Sequence, residues 1–169
     1  MAKLEVVRGN LLEQDVEAIV NAANTSMRGG GGIDGAVHRL AGRDLVLELM
    51  RVAPHGAKTS VVVPTPGFNT GFKHILHVAG PVWNGGQNNE ADLLRACYTN
   101  AVATANKLGV TSLGFCSIST GIFRYPLELA APIAVASVQE AVVGTSIVKV
   151  VFAMFQEAEF EAFQSAFGG

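Results

Sequence analysis

Two short segments hold residue types that suit an anionic ligand and a reaction on it. The first runs from Asn24 to Asp34 and contains Gly29-Gly30-Gly31-Gly32; the second is Ser119-Thr120-Gly121-Ile122-Phe123. Each follows an apolar run and precedes a helical pattern. The free N–H groups and the dipole of a helix start favour an anion there. Glycines let the backbone fold into a nest and let a phosphate approach closely. Two facing nests suit a diphosphate better than a single phosphate. Alone, the four glycines would fit a flexible surface turn equally well, and it is the second loop that favours a ligand. Asp34 is the only carboxylate of the first loop, and it can serve as a helix N-cap or, ionised near a helix start, as a base. The amide of Asn24 can donate and accept at a hydroxyl, or satisfy its own loop.

Gly30-x-Gly32-x-x-Gly35 also matches the dinucleotide fingerprint, which is weak by itself. The Rossmann form needs its glycines directly after the strand and an acid closing the next one. Here loop residues intervene, and the next strand ends in Val63-Pro64-Thr65. A nicotinamide-dependent oxidoreductase is therefore a distant alternative. His38 reads as a packed or hydrogen-bonded histidine. His74 and His77 point to opposite faces of a strand, so no metal site is expected. Cys97 and Cys116 stand apart without metal or redox spacing and read as buried free thiols.

The elements that must position these loops alternate between strand and helix. Strands are expected at Leu4–Arg8, Ala18–Ala22, Ser60–Val63, His74–Val78, Leu113–Cys116 and Ile147–Phe152. A Pro- and Gly-rich turn spans Pro64 to Gly71. One helix starts near Gly35 with Val37, Leu40, Ala41, Leu45 and Leu49 on its buried face. A second covers Glu90–Leu108, with Leu94, Cys97, Ala101, Ala105 and Leu108 inward and Gly109 as its stop. A third places Pro126 in its first turn and buries Leu127, Ala131, Ala134, Val138 and Val142. A last one carries Phe160, Phe163 and Phe167 on one side. This order implies an α/β fold with a largely parallel sheet covered on both faces, with ligand loops at the carboxyl ends of the strands.

The 169 residues fit one domain. A hydrophobic share of 49% with only 15% charged residues excludes a disordered chain. The formal net charge of -2 argues against a protein held to duplex nucleic acid by counterion release. No apolar run reaches the roughly 18–20 residues of a membrane span, and Lys3, Glu5 and Arg8 interrupt any secretory start. The expectation is a cytoplasmic monomer without a membrane partner.

Four segments in order, Asn21-Ala22-Ala23-Asn24, Gly29 through His38, Gly80-Pro81-Val82-Trp83 and Ser117-Ile118-Ser119-Thr120-Gly121, together resemble the macrodomain family. The nearest branch is the MacroD type, related to O-acetyl-ADP-ribose deacetylases and mono-ADP-ribosyl-protein hydrolases. The resemblance spans nearly the whole chain and implies a three-layer α/β/α sandwich around a mixed, largely parallel sheet. It implies ADP-ribose or O-acetyl-ADP-ribose as ligand, mono-ADP-ribosylated proteins as partners, and no cofactor. Asn24 and Asp34 match the positions that act at the distal ribose, where the substituent is cleaved. Asn10, Leu11, Ala22, Gly31, Gly32 and Ile33 match ligand-binding positions. Ser119, Thr120, Gly121, Ile122 and Phe123 match the diphosphate loop and its ribose-covering aromatic. Phe155 matches an adenine-stacking position, with core packing as the rival. Asn10 stands where the family usually has an Asp that accepts from the adenine amino group, and its amide oxygen is expected to accept more weakly. Arg124 replaces a common Gly and is expected to reach the cleft or lie on the surface.

Overall fold

A computed structural model describes residues 2–168. The strands are β1 (Lys3–Arg8), β2 (Ala18–Ala23), β3 (Val62–Pro66), β4 (His74–Ala79), β5 (Ser112–Phe115) and β6 (Lys149–Met154). They form one sheet in the order β1-β6-β5-β2-β4-β3. All neighbours are parallel except β3, which runs antiparallel to β4 at the edge. The helices are α1 (Gly32–Ala41), α2 (Arg43–Val52), α3 (Glu90–Lys107), α4 (Leu127–Ala141) and α5 (Glu157–Gly168). This is the expected three-layer α/β/α arrangement with a mixed, largely parallel sheet.

Side-chain alternation along the strands sorts the helices between the two faces. Phe115 meets Tyr98 of α3 at a tilt and stacks on Phe152, which in turn meets Phe163 of α5. Its neighbour Gly114 points the other way, where an added Cβ would meet Leu11, Val16 and Ile19. The face carrying Ile19, Asn21 and Ala23 receives α1. Nearly every residue of β2, β4 and β6 is buried, as expected for strands covered on both sides.

The expected single helix from Gly35 is two helices. Gly42 has φ 89 and serves as the end of α1 and the start of α2. A non-glycine residue adopts that backbone at a cost, so the axis turns there and Leu40 leaves the core, 41% exposed. The third strand lies later than expected and runs through Pro64 and Pro66. Two prolines lack amide donors, and an edge strand tolerates them because one side of it needs no partner. Pro126 caps α4 from outside its first turn. Leu108 ends outside α3 and is 38% exposed. Of the three phenylalanines of α5 only Phe163 is fully buried, and Phe167 is 39% exposed. Cys97 and Cys116 are buried free thiols.

The amino edge of the sheet is tied by Glu17. Its carboxylate accepts from Lys73 Nζ at 2.8 Å, from the Thr111 amide at 2.7 Å and from the Thr111 hydroxyl at 2.7 Å. These bonds join the starts of β2, β4 and β5. Mainly through the Lys73 bond, they lower the Glu17 pKa from 4.5 to about 2. A carboxyl depressed on folding stabilises above its unfolded pKa, and that contribution disappears as pH falls from 4.5 through about 2. Glu17→Gln is therefore expected to lower the melting temperature at pH 7 by about 2–4 °C. Thermal melts should show the gap from wild type closing as pH drops toward that window.

Candidate functional site

The parallel strands all end on one edge of the sheet, and the loops that leave them surround a cavity of ≈ 740 Å³. That volume lies within the usual range for a small-molecule site, roughly 300–1,000 Å³. Asn10 and Leu11 reach it from the end of β1. Ala22, Asn24, Gly31, Gly32, Ile33 and Asp34 reach it from β2 and the start of α1. Ser119, Gly121, Ile122 and Phe123 come from the loop after β5, and Phe155 from the end of β6. Thr120 alone among the expected residues is off this wall. Its hydroxyl bonds across the loop to Ser117 Oγ at 2.6 Å.

The two loops are built to offer amides. Among the described residues, no amide from Gly29 to Asp34 or from Ser119 to Phe123 donates to a protein acceptor. The N-cap of α1 is Gly31, with no side chain capping the helix. Ser119 takes a left-handed backbone with φ 71, and its buried hydroxyl has no partner among the described residues. The buried Ser119 hydroxyl thus lacks, among the described residues, the partner that buried polar groups nearly always have, and the free amides of the two loops beside it suit an anionic guest. Both loops are held from outside. Arg28 donates to the carbonyls of Met27, Ala53 and Pro54 at 3.0–3.1 Å, tying the first loop to the end of α2. The Phe123 carbonyl accepts from the Trp83 amide at 2.8 Å.

Asp34 is the third residue of α1 and therefore not its N-cap. It is 4% exposed. Oδ1 accepts from Asn21 Nδ2 at 2.8 Å and lies 3.4 Å from His38 Nε2. The other oxygen, Oδ2, turns toward the first loop. An added Cβ on Gly30 would sit 3.3 Å from it and 3.2 Å from Asn24 Nδ2, so only a residue without a side chain leaves this corner open. Asn24 Oδ1 is taken by the amide and hydroxyl of Ser26, while Nδ2 donates to the Gly29 carbonyl at 3.2 Å. Asn24 thus supports its own loop and keeps one N–H for the cavity. It faces a guest as a donor alone, not as the donor and acceptor expected from the residue type.

Asn10 departs from expectation in the same way. Its Oδ1 accepts from the Leu12 amide at 2.9 Å, so the group left to the cavity is the Nδ2 donor. Phe155 is 71% exposed, which overturns the core-packing alternative. The Gly9 amide bonds the Met154 carbonyl at 3.0 Å, so Asn10 and Phe155 stand side by side on adjacent strand ends. Arg124 is exposed with φ 64 and lies off the cavity wall, on the surface. His38 is half-buried beside Asp34, in keeping with a packed histidine.

Several wall residues escaped the sequence reading, among them Arg39, Gln156 and Glu159. Asn21 and His77, both fully buried, were also given no part. The signal for them was present, since each is a polar residue within an apolar strand. Cys116 touches the cavity, yet burial pushes its thiol up to about 12, which rules it out as a thiolate nucleophile. Among the described residues, no cluster of three or more His, Cys, Asp or Glu could hold a metal, and no helix is long and apolar enough to cross a membrane.

The chain matches the family model described as Macro domain over residues 20–134. A macro domain-containing protein of Ralstonia nicotianae is 44% identical over 96% of this chain and 93% of its own length. An O-acetyl-ADP-ribose deacetylase of Salmonella newport is 42% identical over 82% of this chain and 79% of its own. Among solved structures, the Oceanobacillus iheyensis macrodomain with ADP superposes with TM-score 0.92 at 33% identity, covering 99% of this chain and 90% of that one. The Trypanosoma brucei macrodomain in complex with ADP-ribose gives 0.88 at 36% identity, covering 96% and 68%.

Proposed function

The chain belongs to the Macro domain family, and on that premise we propose that it binds ADP-ribose and hydrolyses an ester on the distal ribose. The substrates are O-acetyl-ADP-ribose and proteins carrying mono-ADP-ribose on acidic side chains. The observation that carries this reading is the pairing of two unbonded amide loops with a carboxylate oxygen and an amide donor at one corner of the same cavity. The deacetylase relative and the nucleotide-bound structures support it.

In this reading the amides from Ser119 to Phe123 and those at the start of α1 hold the diphosphate. Phe123 covers the distal ribose. Asn24 Nδ2 donates to a ribose hydroxyl, and Asp34 Oδ2 holds a water against the ester carbon. The water oxygen bonds to the acyl carbon and the bond from that carbon to the ribose oxygen breaks. Asp34 takes the water's proton, and a proton returns to the ribose oxygen. Acetate and ADP-ribose leave. Calorimetry with ADP-ribose, followed by acetate release from O-acetyl-ADP-ribose on the same sample, tests the reading. Binding with release supports it. Binding without release replaces the enzyme with a reader that recognises ADP-ribose and leaves it intact.

The adenine would stack on Phe155 with its amino group toward Asn10. Two donors then face each other, because the Asn10 oxygen is turned toward the Leu12 amide. Asn10→Asp keeps that cap and turns the second oxygen into a charged acceptor. It is expected to tighten ADP-ribose binding roughly fivefold, the gain of about 1 kcal/mol from a charge-assisted hydrogen bond. Equal or weaker calorimetric affinity in the variant would remove adenine from this position.

A further inference from the structure

Behind the cavity wall, a buried line of side chains ends on Asp34. Asn21 of β2 and His77 of β4 are cross-strand partners, and both are 0% exposed. Asn21 Nδ2 lies 2.8 Å from Asp34 Oδ1 and 3.1 Å from His77 Nδ1. On the far side, His77 Nε2 lies 3.0 Å from Thr65 Oγ1 of β3. Thr65 gives its own hydrogen to the Pro66 carbonyl at 3.0 Å.

These contacts leave one arrangement of protons. The Thr65 hydrogen is spent on a carbonyl, so toward His77 the hydroxyl oxygen accepts, and Nε2 carries the hydrogen. Burial holds the imidazole neutral, its pKa pushed down to about 3. Nδ1 is therefore bare and accepts from Asn21. The second hydrogen of Asn21 Nδ2 goes to the carboxylate. Reversing the amide would set an oxygen against both a carboxylate and a bare nitrogen, so the orientation is locked. Asn21 Oδ1 is meanwhile left without a partner among the described residues. A leucine of similar size would avoid that orphan, and packing alone does not account for asparagine here.

We propose that Asn21, His77 and Thr65 are positioning residues that pin Oδ1 of Asp34 and so aim Oδ2 at the corner it shares with Asn24. The inference rests on the hydrolytic reading of Asp34. Without the pin the carboxylate is free to rotate toward His38, the other titratable group beside Oδ1, and the water loses its line of attack.

The test uses the full chain with O-acetyl-ADP-ribose, wild type alongside Asn21→Leu, His77→Leu and His77→Gln. The two leucine variants are expected to lose about 100-fold in kcat, the scale of a displacement near 1 Å, with KM and calorimetric ADP-ribose affinity near wild type. His77→Gln keeps an acceptor for Asn21 and a donor for Thr65, and it is expected to retain most of the activity. Independently of turnover, nitrogen NMR of histidine-labelled wild type should show His77 as the neutral Nε2–H form across about pH 5–8. Its Nδ1 signal should move in Asn21→Leu. Unchanged kcat in Asn21→Leu, equal losses of kcat and affinity, or an Nδ1–H form of His77 would each overturn the relay. A wild type that binds but does not hydrolyse would instead remove the hydrolytic reading, and the histidine spectrum would still decide the proton arrangement.

Discussion

Asp34→Asn is expected to abolish ester hydrolysis, lowering kcat on O-acetyl-ADP-ribose by about 1000-fold, within the usual range for loss of a general base. The substitution is nearly isosteric and keeps an oxygen for Asn21 Nδ2, now 2.8 Å from Asp34 Oδ1. Its melting temperature should therefore stay close to wild type. Asp34→Ala should match it in lost turnover but melt several degrees lower. Truncation leaves a buried amide donor unpaired, which costs about 1–3 kcal/mol, and each kcal/mol moves the melt by about 2–4 °C in a chain of this size. Neither variant touches the amides of the second loop, so calorimetric affinity for ADP-ribose should fall by no more than about tenfold, one neutral hydrogen bond's worth. Acetate release, melts and calorimetry on the pair separate a chemical role from a structural one. Full turnover in Asp34→Asn would leave the proposed mechanism without its base.

The second large effect comes from one methyl group. Gly35 lies in the first turn of α1, where alanine would ordinarily be preferred by about 1 kcal/mol. An added Cβ there would sit 2.6 Å from the Gly30 carbonyl oxygen. Backbone does not yield as a side-chain tip does, so the clash outweighs the helical gain, and the loop holding the anion must move. Gly35→Ala is expected to weaken ADP-ribose binding by about 30-fold, the equivalent of roughly 2 kcal/mol of lost preorganisation. Calorimetry checks this directly, and affinity at or above the wild-type value would mean that helical propensity prevails.

Much of this molecule was legible in its residues because apolar runs and glycine clusters report local demands. Ala18-Ile19-Val20 reads as a doubly covered strand whatever surrounds it, and the loop that follows β2 puts four glycines in a row, Gly29 to Gly32, where packing would want side chains. The break at Gly42 was not legible. The apolar spacing continues through it, and only the left-handed backbone with φ 89 shows that the axis turns. The third strand was mis-set because prolines signal a turn unless the strand lies on an edge, and edges are decided by the whole sheet. The proton roles of Asn24 and Asn10 depend on which amide atom the backbone claims, here Ser26 and Leu12, and residue type cannot report that. Asn21 and His77 are 56 positions apart and meet only because β2 pairs with β4. Their polarity within apolar strands announced a need for partners without saying which.

The tie between Trp83 and the second loop makes the protein its own optical probe. The chain has a single tryptophan. Its ring centroid lies 4.7 Å from that of Tyr125, and its amide holds the Phe123 carbonyl at 2.8 Å. A ligand that draws this loop inward would shift the indole against its tyrosine neighbour. Intrinsic emission excited at the red edge of indole absorption would then follow occupancy in real time, without a label. Association and release could be timed by stopped flow in the same cuvette as the acetate assay, separating a slow chemical step from slow departure of the product.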